Sequence, residues 1–138
     1  MQGSRIVLAS WVTLGLFALF GLLGMAIDGL YTVVSGVCVA LFLASLPIWI
    51  YAFLRALRRT TEGDEISVGS WVFLTPSAPA DVRRRLLGAT VASVAVDAIV
   101  CWSNPFAVLV PMLHLGLAAL WGARYGTYPS RVVKGGRR

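Results

Sequence analysis

Two ionisable residues stand inside apolar stretches of this chain: Asp97 and His114, its one histidine. An ionisable group within a membrane span is expensive, and is therefore a functional candidate by default. Ser93 lies four residues before Asp97, on the same helical face. A carboxylate beside an imidazole makes a site for a proton or a cation. The plainer alternative is a buried hydrogen-bonded pair, or separate contacts with Ser93, Thr90 or backbone. At about 1.5 Å of rise per residue, Asp97 lies roughly 18 Å from the arginines at 83–85, and His114 lies roughly 15 Å from Arg124. The two can meet near mid-membrane.

Other chemistries find less support. A metal site at His114 would need Asp, Glu or Cys ligands from other segments, and no spacing advertises them. Haem ligation would need Met112, Met25 or solvent as the second ligand, so no cofactor is expected. Cys38 and Cys101 share a depth about 25 Å from the basic end. A disulfide is permitted there, but small buried cysteines commonly serve helix packing. There is no GxSxG, no Gly-rich phosphate loop and no HExxH, and an enzyme is not expected. Glu62, Asp64 and Glu65, set among arginines, read as a solvated loop.

The elements that position Asp97 and His114 follow from composition. A chain of 138 residues that is 58% hydrophobic and 13% charged has too little polar surface to cover its apolar volume in water. A bilayer removes the conflict, because about 20 mostly apolar residues cross roughly 30 Å of hydrocarbon. Four such runs occur, at about 6–27, 30–54, 86–102 and 106–123. The first is too long for a cleavable signal. The expected fold is all-α, with four transmembrane helices in two antiparallel hairpins. They form a single membrane domain over 1–138 with a loop at 55–85. Asp28-Gly29 and Ser103-Asn104-Pro105 make the tight external turns.

Charge orients the hairpins. All twelve basic residues lie outside the apolar runs. Arg5 precedes the first, Arg55, Arg58 and Arg59 follow the second, Arg83, Arg84 and Arg85 precede the third, and Arg124 follows the fourth. Positive loops stay in the cytoplasm, which places both termini and the 55–85 loop inside. A net charge of +6 on a soluble protein would suggest nucleic acid, but no aromatic-basic reading surface accompanies it. Anionic headgroups at the cytoplasmic face are the expected partner, at about 1 kcal/mol per basic residue. These seven arginines from 55 to 124 are the expected headgroup anchors. Arg131, Lys134, Arg137 and Arg138 then make a mobile basic tail.

Within the loop, the apolar patch from Ile66 to Leu74 is too short to span and is expected at headgroup level, with Trp71 as anchor. Asp81 is placed to cap a helix beginning at Val82. Trp102 and Trp121 fit an interfacial aromatic belt. Small residues recur every fourth position: Gly36, Ala40 and Ala44; Ala89, Ser93, Asp97 and Cys101; His114, Ala118 and Gly122. Helices in lipid associate through such close approach, and Gly21 and Gly24 offer it in the first span.

The string Trp121-Gly122-Ala123-Arg124-Tyr125-Gly126-Thr127-Tyr128-Pro129 is the most distinctive in the chain. With Val82-Arg83-Arg84-Arg85-Leu86-Leu87-Gly88 and the four-span layout, it resembles small uncharacterised membrane proteins of actinobacteria. Eleven arginines against one lysine are similar to the usage of GC-rich genomes. The resemblance implies a bacterial plasma (inner) membrane and carries no active residue. The absence of reaction motifs beside abundant small-residue faces predicts a non-enzymatic accessory or structural subunit, packing with itself or with a larger cell-envelope complex. The competing expectation is a small oligomeric transporter or channel using Asp97 and His114. A lipid-processing enzyme would need loop groups to converge with those two residues.

Overall fold

The computed structural model describes residues 3–130, so Arg131, Lys134, Arg137 and Arg138 of the expected tail lie outside it. Helix α1 spans Ser4–Ala26, α2 Tyr31–Thr61, the single turn α3 Val68–Trp71, α4 Ala80–Val100 and α5 Pro111–Tyr125. Short 3₁₀ turns over Asp28–Leu30 and Pro105–Leu109 lead into α2 and α5. Among the described residues there is no strand, only an isolated bridge between Asp64 and Ser130. Three helical stretches are long and apolar enough to cross a membrane: Ser4–Ala26, Asp28–Thr61 and Pro105–Tyr125. In α4 the charges of Asp81, Arg83, Arg84, Arg85 and Asp97 dilute the apolar character.

Local chemistry explains the boundaries. Gly3 starts α1 at φ 68, a left-handed conformation that glycine adopts without steric cost. Helix α2 runs unbroken through Pro47 and past Leu54 to Thr61, so its last turns rise beyond the apolar run. Pro79 occupies the N-cap of α4, and Asp81 sits inside the first turn instead of capping it. There its carboxylate faces the positive end of the helix dipole. Asn104 accepts a hydrogen bond from the Phe106 amide at 3.1 Å, and Pro111 opens α5 where its missing N–H costs nothing.

Three apolar clusters fill the interior. At one end Ile6, Leu86, Leu117 and Trp121 pack together. At the other, Phe17, Val34, Cys38, Val100 and Val110 meet. The third joins Ala52 and Ala56 of α2 to Ala119 and Ala123 of α5. Contact is most extensive between α2 and α5 and next between α1 and α4, exceeding that between α1 and α2. The sequential pairs therefore interleave: each packs harder on the other pair than the first pair packs on itself.

Close approach occurs where glycine permits it. A Cβ on Gly21 would stand 2.9 Å from Val100, and one on Gly24 2.6 Å from Val34. Ala89, Ala118 and Gly122 are buried in the bundle. Gly36, Ala40 and Ala44 are not; all three are exposed. The inward face of α2 is instead Val34, Cys38, Ser45, Ala52 and Ala56, well round the helix from that stripe.

The 62–79 segment also differs from expectation. Val72 and Leu74 are buried in the bundle, and the Trp71 indole donates to the Ala119 carbonyl of α5 at 2.9 Å. Trp71 stands edge-on to Trp49 at 6.1 Å. The patch docks on α2 and α5 because Ala119, Gly122 and Ala123 leave α5 bare enough to receive it. Trp121 is likewise a core residue, 2% exposed, while Trp102 is 89% exposed.

Candidate functional site

Hydroxyls and an imidazole lie among the apolar clusters. On α1, Ser10 and Thr13 fall between Val7 of the first cluster and Phe17 of the second; on α5, His114 follows Leu113 and precedes Leu117, both of the first cluster. Ser45, Thr90 and Ser93 are buried on α2 and α4. Most of these hydroxyls are satisfied within their own helix: Thr90 donates to Leu86 at 3.1 Å, Ser93 to Thr90 at 2.7 Å and Ser45 to Phe42 at 2.5 Å. Such back-bonding lets a hydroxyl sit in a span without an outside partner.

His114 is the exception. It is fully buried, with Nε2 lying 3.3 Å from Thr13 Oγ1. Thr13 Oγ1 has one hydrogen, and it is placed to donate to the Ala9 carbonyl at 2.8 Å, with the Ser10 carbonyl at 3.0 Å. The lone pairs of Thr13 are then free to accept, so Nε2–H donates to Thr13 and the proton is assigned to Nε2. Nδ1 makes no well-aligned hydrogen bond, while the Val110 and Ser10 backbone lies within reach of the ring. Ser10 Oγ, also fully buried, has no hydrogen-bond partner. Each such atom costs about 1–3 kcal/mol relative to a satisfied one.

The structure does not bring Asp97 and His114 together. The ion pairs among the described residues are Arg58–Glu62 and Arg59–Asp64, and His114's side-chain partner is Thr13. Asp97 lies one turn beyond Ser93 and about 40° round the helix from it, half-buried at the flank of the inward face. It comes within electrostatic reach of Cys38 on α2, and its Oδ1 is buried without a hydrogen-bond partner. Ser93 spends its hydroxyl on Thr90. No hydrogen bond or ion pair joins the three expected site residues to one another. Cys38 and Cys101 are both free thiols.

A second polar cluster closes the basic end. Arg59 Nε donates to Asp64 Oδ2 at 2.7 Å, Arg59 Nη1 donates to the Ala123 carbonyl at 3.3 Å, and the guanidinium lies 4.7 Å from the centre of the Tyr128 ring. Tyr128 Oη donates to the Gly122 carbonyl at 2.7 Å, and the Thr127 amide donates to Ser77 at 2.8 Å. Ser77 in turn donates to the Ser70 carbonyl. Burial raises the Tyr128 phenol above its ordinary 10.0, with Ser77 and Arg59 opposing the rise. Arg59 is therefore a structural tie holding α2, the loop and the end of α5. Its partner Asp64 is not a freely solvated acid. Arg58 pairs with Glu62 on the surface at 3.1 Å, a contact worth little in water. Arg55, Arg84, Arg85 and Arg124 are exposed and Arg83 is half-buried.

Ser10 and Thr13 were not singled out from sequence as partners for His114, although two hydroxyls three apart in an apolar run are a usable signal. Gly116 was also missed: a Cβ there would stand 2.9 Å from Trp49 Nε1, which donates to the Met112 carbonyl at 2.9 Å. Among the described residues no three of His, Cys, Asp and Glu gather as a metal site. No protein family, curated protein or solved structure matches this chain.

Proposed function

We propose that the chain is a four-span protein of a bacterial inner membrane, with both termini cytoplasmic, that works by packing with copies of itself or with a larger envelope complex and not by catalysis. The observation that carries this reading is the outward face of α2. Only 17% of the most apolar stretch of Asp28–Thr61 is buried within the chain, against 61% for that of Pro105–Tyr125. On its exposed side Gly36, Ala40 and Ala44 form a shallow strip, and a Cβ on Gly36 would meet nothing within 4 Å. Small residues let a second helix approach closely in lipid. The fourth span in this reading is α4, whose Leu86–Val100 portion crosses roughly 22 Å at helix rise, with Arg83, Arg84 and Arg85 at the cytoplasmic surface. The actinobacterial resemblance points to the same membrane.

The test is cysteine crosslinking in a Cys38→Ser, Cys101→Ser background reconstituted into bilayers. Ala40→Cys should give disulfide-linked dimers, or mass-identified adducts with one reproducible partner, while Val91→Cys on the exposed side of α4 should not. A monomer that forms no adduct through either position sinks the reading. A second reading, a small oligomeric transporter or channel, is favoured by the unpartnered buried atoms of Ser10, Asp97 and His114. It requires flux in liposomes that Asp97→Asn or His114→Ala abolishes.

A further inference from the structure

We propose that the groove between α1 and α4 at the basic end is a binding site for one anionic glycerophospholipid, a site that rests on the membrane reading above. The groove encloses about 540 Å³ and is lined by Ser4, Arg5, Val7, Leu8 and Trp11 of α1 and by Arg85 of α4. Its polarity is ordered along the helix axis. Arg5 and Arg85 stand at the mouth, Leu8 follows one turn deeper, and Trp11 lies about 9 Å along the helix from Arg5. The Trp11 ring edge reaches α4 at Gly88, where a Cβ would stand 4.0 Å from Cζ2.

Charge identifies the occupant. Neither arginine belongs to an ion pair among the described residues, and no carboxylate lines the groove. Two uncompensated guanidinium groups above an apolar wall match a phosphodiester above an acyl chain, since the planar fork of arginine pairs with phosphate oxygens two at a time. Leu8 is 63% and Trp11 44% exposed, so the wall is open to a chain lying along it. The neighbouring face of α4, beyond Gly88, offers a contrast. A groove of about 500 Å³ there has Arg83 and Arg84 at its mouth but no aromatic residue and no second helix. Matching basic residues without a two-helix cleft, it is the internal control.

The test uses the full chain reconstituted in phosphatidylcholine vesicles, with tryptophan fluorescence quenched by a minor fraction of lipid brominated on its acyl chains. Two surface arginines together give a roughly 30-fold preference for an anionic over a zwitterionic headgroup. Half-maximal quenching of the Trp11 component should therefore need about 30-fold less brominated phosphatidylglycerol than brominated phosphatidylcholine. Arg5→Gln with Arg85→Gln should abolish that preference while leaving phosphatidylcholine quenching and helical circular dichroism intact. Arg83→Gln with Arg84→Gln, removing the same charge, should preserve it. If the first double variant does not fold, Trp11→Phe decides, because the preferential component must vanish with its reporter. Equal quenching by the two lipids, or a preference surviving either Arg5→Gln/Arg85→Gln or Trp11→Phe, overturns the proposal alone. Loss of the preference to millimolar inorganic phosphate assigns the groove to a small anion and overturns the lipid. Quenching by neither lipid removes the membrane reading, and this site with it.

Discussion

Thr13→Val removes the side-chain partner of a buried imidazole and changes little else. Threonine and valine are close in shape, and the hydroxyl's bond to Ala9 lies within its own helix. The interhelical bond lost is the one to His114 at 3.3 Å. Such bonds in membrane proteins average about 0.6 kcal/mol and reach about 1.7 kcal/mol. The length of this one argues for the lower half of that range, but its loss leaves a fully buried ring without its side-chain partner. The expected cost is about 1 kcal/mol. His114→Leu should behave in the opposite way: it deletes Nδ1, which makes no well-aligned hydrogen bond, keeps most of the side-chain volume, and leaves Thr13 bonded to Ala9. Stability should be unchanged or raised by about 1 kcal/mol. In the double variant Thr13→Val should then cost nothing further, a coupling of about 1 kcal/mol. Titration of the protein in dodecyl maltoside micelles with sodium dodecyl sulfate, followed by helical circular dichroism, measures all four species. The reasoning is refuted if His114→Leu loses more than about 3 kcal/mol, the range of a large core truncation, or if Thr13→Val costs the same with and without His114.

Three further outcomes are expected. Gly24→Ala should cost about 1–3 kcal/mol by overpacking, since its Cβ would stand 2.6 Å from Val34 Cγ2; adding Val34→Ala should recover part of that loss in the same titration. Tyr128 holds its proton more tightly in the folded state than in the unfolded chain, because burial lifts the phenol above 10.0. Its contribution is therefore complete below pH 10.0 and is lost as pH rises through the folded value, an alkaline limb that Tyr128→Phe should remove from the stability profile. Arg59→Gln should raise protease cleavage within 62–79, because it frees Asp64 and the end of α5 together, whereas Arg55→Gln should leave cleavage unchanged.

Period and composition made the helices legible. Apolar runs separated by Asp28-Gly29 and Ser103-Asn104-Pro105 locate the long helices and their turns, because a bilayer demands uninterrupted internal hydrogen bonding. Gly21 and Gly24 were readable as points of close approach for the same reason. Which face of a helix turns inward was harder to read. On α2 the small stripe Gly36, Ala40 and Ala44 and the true inner face Val34, Cys38 and Ser45 lie in one continuous apolar run, so the run itself does not say which side turns inward. Depth counting put Asp97 and His114 at similar levels, but azimuth decides contact, and Asp97 stands aside from the inward stripe. The tie made by Arg59 was hidden by its neighbours: among Arg55, Arg58 and Arg59 nothing local marks the one whose partners lie at Asp64, Ala123 and Tyr128. Trp71 carried a membrane-anchor signature, yet bare backbone on α5 drew it into the bundle.

The bareness of α5 bears on the order of assembly. One side of it is stripped to Gly116, Ala119, Gly122 and Ala123, its Met112 and Ala119 carbonyls receive indole donors from Trp49 and Trp71, and it carries the buried imidazole. Alone in lipid, such a helix would leave its imidazole without Thr13 and offer hydrocarbon tails a recessed surface. Helix α1 is long and apolar enough to cross a bilayer by itself, whereas the Trp49 indole of α2 gains its acceptor only when α5 arrives. Synthesis from the N-terminus makes α5 the last of these helices, so the groups that wait on it, Thr13, Trp49 and Trp71, are already made when it docks.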